Sequence, residues 1–193
     1  MKINSTDYHD YVIKNGKFIG EFEQMYQNIE DPWHHGKATA VQYDIILMLM
    51  ARYLNQKKEI NILDIGCGLG AFTSRLNKRF ALAKILAVDI SQTAIKKARQ
   101  KYADSKISFE VMDIQRQYKD LKKKFDLIIV SQLMWLILPD FKIIINSLIE
   151  NSLNQEGLLL ISQTFYNPEK QKYGNEIVSK PEDMLNLISH SPI

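Results

Sequence analysis

Residues 60–70 read Ile-Asn-Ile-Leu-Asp-Ile-Gly-Cys-Gly-Leu-Gly, and this stretch decides the fold. Ile60 to Ile65 is a short, β-branched run that ends at a glycine cluster, the pattern of a buried strand. A helical pattern from Ala71 to about Lys78 follows. Gly66, Gly68 and Gly70 permit positive φ and let a ligand come close to the backbone. The helix start behind them offers unpaired N–H groups and a partial positive charge. The unit is therefore strand, glycine turn and helix, with room for a nucleotide-like ligand at the turn.

Working outward, the same alternation recurs. Lys84 to Asp89 reads as a strand, and Ser91 is placed to cap a helix reaching about Tyr102. Ile107 to Met112 and Phe125 to Val130 are further strands, Pro139 to about Ser152 is a helix, and Gly157 to Thr164 is a fifth strand. Strands separated by helices pair in parallel through right-handed crossovers. They are apolar throughout because helices cover both faces. The expected fold is α/β: a doubly wound, mainly parallel sheet with helices on both faces. Such a sheet holds its ligand beyond the carboxyl ends of its strands, at the switch in strand order. Asp89, Asp113, Ser131 and Gln132 all fall there.

Ahead of the sheet, Phe18, Phe22, Met25, Tyr26 and Ile29 recur at helical spacing until Asp31-Pro32 halts them. A second amphipathic helix is expected from about Lys37 to Asn55. Residues 1–56 thus read as a helical leader forming a lid over cofactor and substrate, with Tyr8 and Tyr11 as lid candidates. Residues 57–193 form the ligand-binding domain.

Composition narrows the class. The 193 residues are 46% hydrophobic and 24% charged, with a formal charge of +3. These values exclude a disordered chain, a collagen-like repeat and a coiled-coil rod. The single cysteine, Cys67, cannot form an internal disulfide, so a reducing, cytoplasmic setting is expected. Residues 125–141 are the most apolar run, but Asp126, Ser131, Gln132, Pro139 and Asp140 interrupt it, so no membrane span is expected. The N-terminal residues lack the apolar core of a signal peptide. The small net charge and the absence of a basic stripe argue against nucleic acid. No metal site is expected, and oligomeric state is left open.

Three carboxylates shape the ligand expectation. Asp89 ends the second strand, where it can accept hydrogen bonds from both hydroxyls of a ribose. Asp113, ending the third, can accept from the exocyclic amine of an adenine. Gly66, Gly68 and Ala71 also satisfy the looser glycine fingerprint of dinucleotide enzymes, so an NAD-linked oxidoreductase is the alternative. Asp64 weighs against it: a carboxylate just ahead of the loop repels a pyrophosphate and suits a ligand carrying ammonium and sulfonium groups.

These residues resemble the class I S-adenosylmethionine-dependent methyltransferases, a Rossmann-like family. The resemblance runs from Ile60 to Thr164 and rests on ILDIGCGLG, on VDIS at 88–91, VMDI at 111–114, FDLIIVSQLMWLI at 125–137 and GLLLIS at 157–162. It implies S-adenosyl-L-methionine as cofactor, with Asp64, Gly66, Cys67 and Gly68 around the methionine moiety. By the same resemblance Asp89 and Ile90 hold the ribose, Asp113 and Ile114 the adenine, and Ser131 and Gln132 face the methyl-transfer region. The leader, with Tyr26 and Asp31-Pro32-Trp33-His34-His35, resembles amino-sugar N-methyltransferases of the nodulation type. That implies a small-molecule acceptor, a sugar or amino sugar, methylated on N or O. His34, His35 and Asp31 are the candidate bases, His being suited by an ordinary pKa of about 6.5, and Trp33 and Trp135 are candidates for binding substrate through their ring faces. The family pattern ends with a helix and an antiparallel strand pair. Here 29 residues follow Thr164, and Pro181 to Ser189 resembles the helix alone, so the C-terminal strand pair is expected to be missing or truncated. That departure motivates a further alternative, a non-catalytic cofactor-binding partner subunit.

Overall fold

The computed structural model describes residues 5–35, 40–54, 59–165, 167 and 173–188. A short helix, α1 (His9–Val12), leads into a hairpin of β1 (Ile13–Lys14) and β2 (Lys17–Phe18). Asn15 and Gly16 take φ of 51° and 71°, the doubly positive turn whose twist matches a two-residue hairpin. The expected helix through Phe18 is therefore corrected: Phe18 lies in β2, and α2 spans Phe22–Asn28. The Asn-Gly pair was the local signal for this hairpin, and it outranks the helical spacing of Phe18.

Helix α3 spans Ala40–Tyr53; its expected limits at Lys37 and Asn55 lie outside the described residues. The sheet and its crossovers then follow as β3 (Asn61–Ile65), α4 (Ala71–Arg79), β4 (Lys84–Asp89), α5 (Gln92–Lys101), β5 (Ile107–Val111), α6 (Ile114–Gln117), β6 (Phe125–Ser131), α7 (Phe141–Ser152), β7 (Leu153–Ser162) and α8 (Pro181–Ile188). Strand order is β5-β4-β3-β6-β7, and every pairing is parallel. The order reverses beside β3, so the switch point falls at the glycine turn. Ser91 caps α5 by accepting from the N–H of Ala94 at 3.1 Å. Among the described residues no strand follows β7.

Two apolar layers flank the sheet. On one face Ile62, Ile85, Leu127 and Ile129 pack against Tyr43, Ile46 and Met50 of α3 and Phe72 and Leu76 of α4. Ala87 continues that face under Ile95 and Ala98 of α5. On the other, Leu63, Ile128 and Val130 meet Phe141, Ile144 and Leu148 of α7. Burial on both faces accounts for strands without polar alternation. The leader builds a smaller core, Tyr11, Val12, Met25 and Tyr26 with Ala94 of α5. No helix among the described residues is long and apolar enough to cross a membrane.

Candidate functional site

At the carboxyl ends of the strands a cleft of about 530 Å³ opens beneath the leader, within the size range of small-molecule sites. Its inner wall is the glycine turn. Gly68 has φ of 52°, and a Cβ there would stand 2.7 Å from the Tyr26 hydroxyl. Only glycine allows both that backbone angle and that approach. The N–H of Gly68 donates to Asp89 Oδ2 at 2.9 Å, and the N–H of Ser91 donates to Asp89 Oδ1 at 2.9 Å. Asp89 thus fastens the turn after β3 to the turn after β4. A carboxylate has about four acceptor sites, so each oxygen keeps one for a ligand.

Asp89 is 8% exposed. Burial raises its pKa, and the two N–H donors only partly counter this. Asp64 is 2% exposed and accepts from the Thr73 hydroxyl at 2.6 Å. Burial, reinforced by the charge of Asp89, pushes its carboxyl up to about 6. One acidic group on the cleft wall and one behind the turn thus interact, and a cation in the cleft would relieve both.

The structure separates the expected site residues. Gly66, Gly68, Asp89, Ile90, Asp113 and Ile114 wall the strand-end side of the cleft, and Ser131, Gln132 and Trp135 continue that wall past β6. Asp64 and Cys67 stand behind it. Thr73 of α4 takes the carboxylate of Asp64, while Cys67 is 9% exposed, packs with Ala87 and Phe109, and has its thiol pKa raised by burial. Asp113 also caps α6, accepting from the N–H of Gln115 at 3.1 Å.

On the leader side Trp33 and His35 reach the cleft but His34 does not, being exposed with φ of 53°. Asp31 accepts from the N–H of His35 at 3.1 Å, which shapes the turn. Burial lowers the pKa of His35 and holds its imidazole neutral. Tyr8 joins the wall, whereas Tyr11 is fully buried within the leader and donates its hydroxyl to the carbonyl of Ser5 at 2.9 Å. His9 is a wall residue the sequence did not single out. Its Nδ1 pairs with Asp7 Oδ1 at 2.7 Å, and its ring stacks on Tyr8 at 4.0 Å. The Asp-x-His spacing was the available signal.

Gln132, an expected site residue, gains a geometric reason for its place. It follows β6 with φ of 54°, a backbone conformation that costs a non-glycine residue on the order of 1 kcal/mol. Its Oε1 accepts from the N–H of Thr164 at 3.0 Å and from Gln163 Nε2 at 3.3 Å. Its Nε2 is buried and has no partner among the described residues. A strained backbone thus holds an amide with its donor end open. Trp135 donates its indole N–H to the carbonyl of Thr164 at 3.1 Å, and Trp33 donates to the Tyr26 hydroxyl at 2.9 Å. Both indoles are fixed by these bonds. No cluster of three or more metal-ligating side chains occurs among the described residues.

The sequence profile of a family described as "Methyltransferase domain" matches residues 56–190. Over 160 residues the chain is 30% identical to the malonyl-[acyl-carrier protein] O-methyltransferase of Bacillus cytotoxicus, covering 79% of this chain and 54% of that protein. Over 109 residues it is 35% identical to the enzyme of the same name from Acetivibrio thermocellus, covering 56% of this chain and 37% of that one. The chain therefore spans about half or less of these relatives. Among solved structures, the plantazolicin methyltransferase BpumL in complex with a pentazolic desmethylPZN analog and SAH superposes with a TM-score of 0.60 at 22% identity, covering 80% of this chain and 58% of that one. A TehB-like SAM-dependent methyltransferase from Corynebacterium glutamicum superposes with a TM-score of 0.57 at 18% identity, covering 83% of each chain. These two share its fold.

Proposed function

The chain belongs to the methyltransferase-domain family, and on that premise we propose that it transfers the methyl group of S-adenosylmethionine to N or O of a small molecule. The observation that carries this is the pair Asp64 and Asp89, two buried carboxyls at the switch point without a cationic partner among the described residues. Such a site favours a positively charged adenosyl compound over a pyrophosphate, so the dinucleotide alternative gives way. When bound, S-adenosylmethionine supplies a methyl group on sulfonium sulfur, a leaving group that needs no further activation.

The protein's part is to bind, orient and move a proton. Asp89 accepts from the ribose hydroxyls through its remaining lone pairs, and Ile90 packs beside it. Asp113 and Ile114 face the adenine. Gly66 and Gly68 give the methionine moiety close access to backbone, and Asp64 acts on it through its field from behind the turn. Residues 57–193 then form the donor-binding unit, and residues 1–56 the lid.

The acceptor side would be lined by aromatic rings and amides, Trp33, Trp135 and Gln132 among them. Ring faces with amide donors suit a polar, ring-shaped acceptor such as a sugar or amino sugar. Gln132 Nε2 donates to an oxygen of that acceptor. Acceptor deprotonation falls to His35, kept neutral by burial, with His9 as a neighbouring base oriented by Asp7; a neutral imidazole is the form that takes a proton. His34 lies outside the cleft. A second reading is methylation of a carboxyl group on an acyl thioester, favoured by the names of the Bacillus and Acetivibrio relatives.

The test is to incubate the full chain with S-adenosylmethionine and, in parallel, an amino sugar, a neutral sugar and a malonyl thioester, and to follow each by mass spectrometry. A one-methyl gain in a sugar supports the first reading, and a gain only in the thioester supports the second. No gain in any, with no binding of S-adenosylhomocysteine by calorimetry, contradicts the proposal. His35→Ala is expected to lower turnover while leaving donor affinity unchanged.

A further inference from the structure

Helix α3 is apolar on two sides. Its inner face, with Tyr43, Ile46, Leu47 and Met50, is buried against the sheet and α4. On its outer face Val41 is 71% exposed, Ile45 49%, Met48 66%, Leu49 50% and Tyr53 71%. A helix on the surface of a lone domain carries polar residues on its outer face, and one that is apolar all round is covered by something. Val41, Ile45, Met48 and Arg52 recur at intervals of four, three and four, the seam spacing with which two helices interlock. A groove lined by Asp44, Leu47, Met48 and Ala51 runs where this face meets the buried one, Leu47 being the buried member of the set, with Arg52 and Arg79 also lining it. Those four residues are the diamond into which a knob from a facing helix seats.

We infer that this face pairs with the same face of a second copy of the chain, α3 running antiparallel to its counterpart about a two-fold axis near Met48. Charge register selects a copy over an unrelated apolar partner. Asp44 lies four residues before Met48 and Arg52 four residues after it. An antiparallel crossing at Met48 therefore brings Asp44 of each copy to the level of Arg52 of the other, twice by symmetry. Asp44 is 68% exposed, and one of its oxygens is engaged by Arg75 at 3.0 Å, leaving the other free to accept. Arg52, about two turns further along the helix, is exposed on the same groove. The exposed apolar side chains offer on the order of 500 Å² per copy, so a pair covers on the order of 1,000 Å², the lower limit of a specific interface and the size of a reversible one. The inference is independent of the proposed methyl transfer and holds whatever the cleft binds.

Sedimentation velocity of the full chain across a micromolar concentration series tests it. The expected result is a mass that rises from the 22.4 kDa of one chain towards twice that value. Met48→Lys is expected to raise the dissociation constant about tenfold or more, since it sets two charges at the centre of the seam. Asp44→Arg and Arg52→Asp are each expected to weaken the pair, and the double exchange D44R/R52D to restore it, because each copy then offers both reversed partners. Circular dichroism checks that each variant is folded. Arg52→Asp, which leaves the Arg75 contact intact, carries the charge test if Asp44→Arg is not. A single-chain mass at every concentration overturns the inference. So does a pair whose strength Met48→Lys and the charge exchange leave unchanged.

Discussion

On the strand-end side of the cleft, Gly68 and Asp89 belong to two neighbouring strand-to-helix turns and are joined by one hydrogen bond. On the leader side, Glu23 and Tyr26 lean on α5, and Trp33 in turn bonds to the Tyr26 hydroxyl. The Glu23 carboxylate accepts from the Ser91 hydroxyl at 2.6 Å and from the N–H and hydroxyl of Thr93 at 3.1 Å and 2.5 Å. Lys97 Nζ donates to the carbonyl of Tyr26 at 2.5 Å. The strand-end side is thus preformed by the sheet itself, whereas the leader side is a cap held by a few polar contacts. Donor binding and acceptor binding are expected to fail separately when one side is altered.

The largest expected effect is on the preformed side. Asp89→Ala removes two backbone-fixing bonds as well as the ligand contacts, and is expected to weaken S-adenosylmethionine binding by about 2–4 kcal/mol. Calorimetry reads this directly, and an unchanged affinity would move the ribose elsewhere.

Asp64 probes the cost of that preformed side. Its folded pKa is raised to about 6 from an ordinary 3.8. Below the lower value both states hold the proton and no penalty exists. Between the two the unfolded chain releases it while the folded chain keeps it, so stability falls as pH rises. Above about pH 6 the loss is complete, at about 3 kcal/mol. Asp64→Asn cannot titrate and keeps an oxygen for Thr73. Urea unfolding from pH 4 to pH 8 is expected to show the variant becoming the more stable protein through this window. Parallel curves would show that Asp64 is not destabilised by its burial.

On the leader side, Glu23→Ala removes three bonds to α5 and its cap and a fourth from Gln27, and is expected to lower the local stability of residues 5–35 by about 1–2 kcal/mol. Amide exchange should accelerate there and stay slow in β3 and β4. Exchange that rises equally in both regions would mean that cap and sheet open as one unit.

The smallest effect lies where the two sides touch. Gly68→Ala drives a Cβ into the Tyr26 hydroxyl, and Tyr26→Phe removes the obstructing oxygen along with the bond from Trp33. A double-mutant cycle on unfolding free energy is expected to give a coupling of about 1 kcal/mol, with the double variant better than the sum of the singles. Additive effects would show that this contact carries no strain.

The same contrast governs what could be read before the structure. The five strands, the glycine turn and the Ser91 cap were legible because each depends on residues adjacent in sequence: a β-branched run, glycines at φ-positive positions, a hydroxyl three residues ahead of its N–H. Asp89 and Asp113 were placed by the same logic, as residues that end strands. The leader was legible only as apolar spacing, so Phe18 was assigned to a helix although Asn15-Gly16 turns the chain into a hairpin. His9 escaped because an Asp-x-His spacing alone does not say that the histidine faces a cleft. Gln132 was placed at the methyl-transfer region by resemblance, while its open amide donor, a property of three-dimensional surroundings, was not legible. Asp64 shows a related limit, since sequence put its charge beside the turn but could not reveal that Thr73 draws it behind.

The central claim is that the strand-end wall holds an adenosyl donor through Asp89 and Asp113. A crystal structure of the full chain soaked with S-adenosylhomocysteine tests it most directly. The predicted result is the ribose on Asp89 with the adenine between Ile90, Asp113 and Ile114. A cleft left empty at saturating ligand, or one that takes NAD in its place, would contradict it.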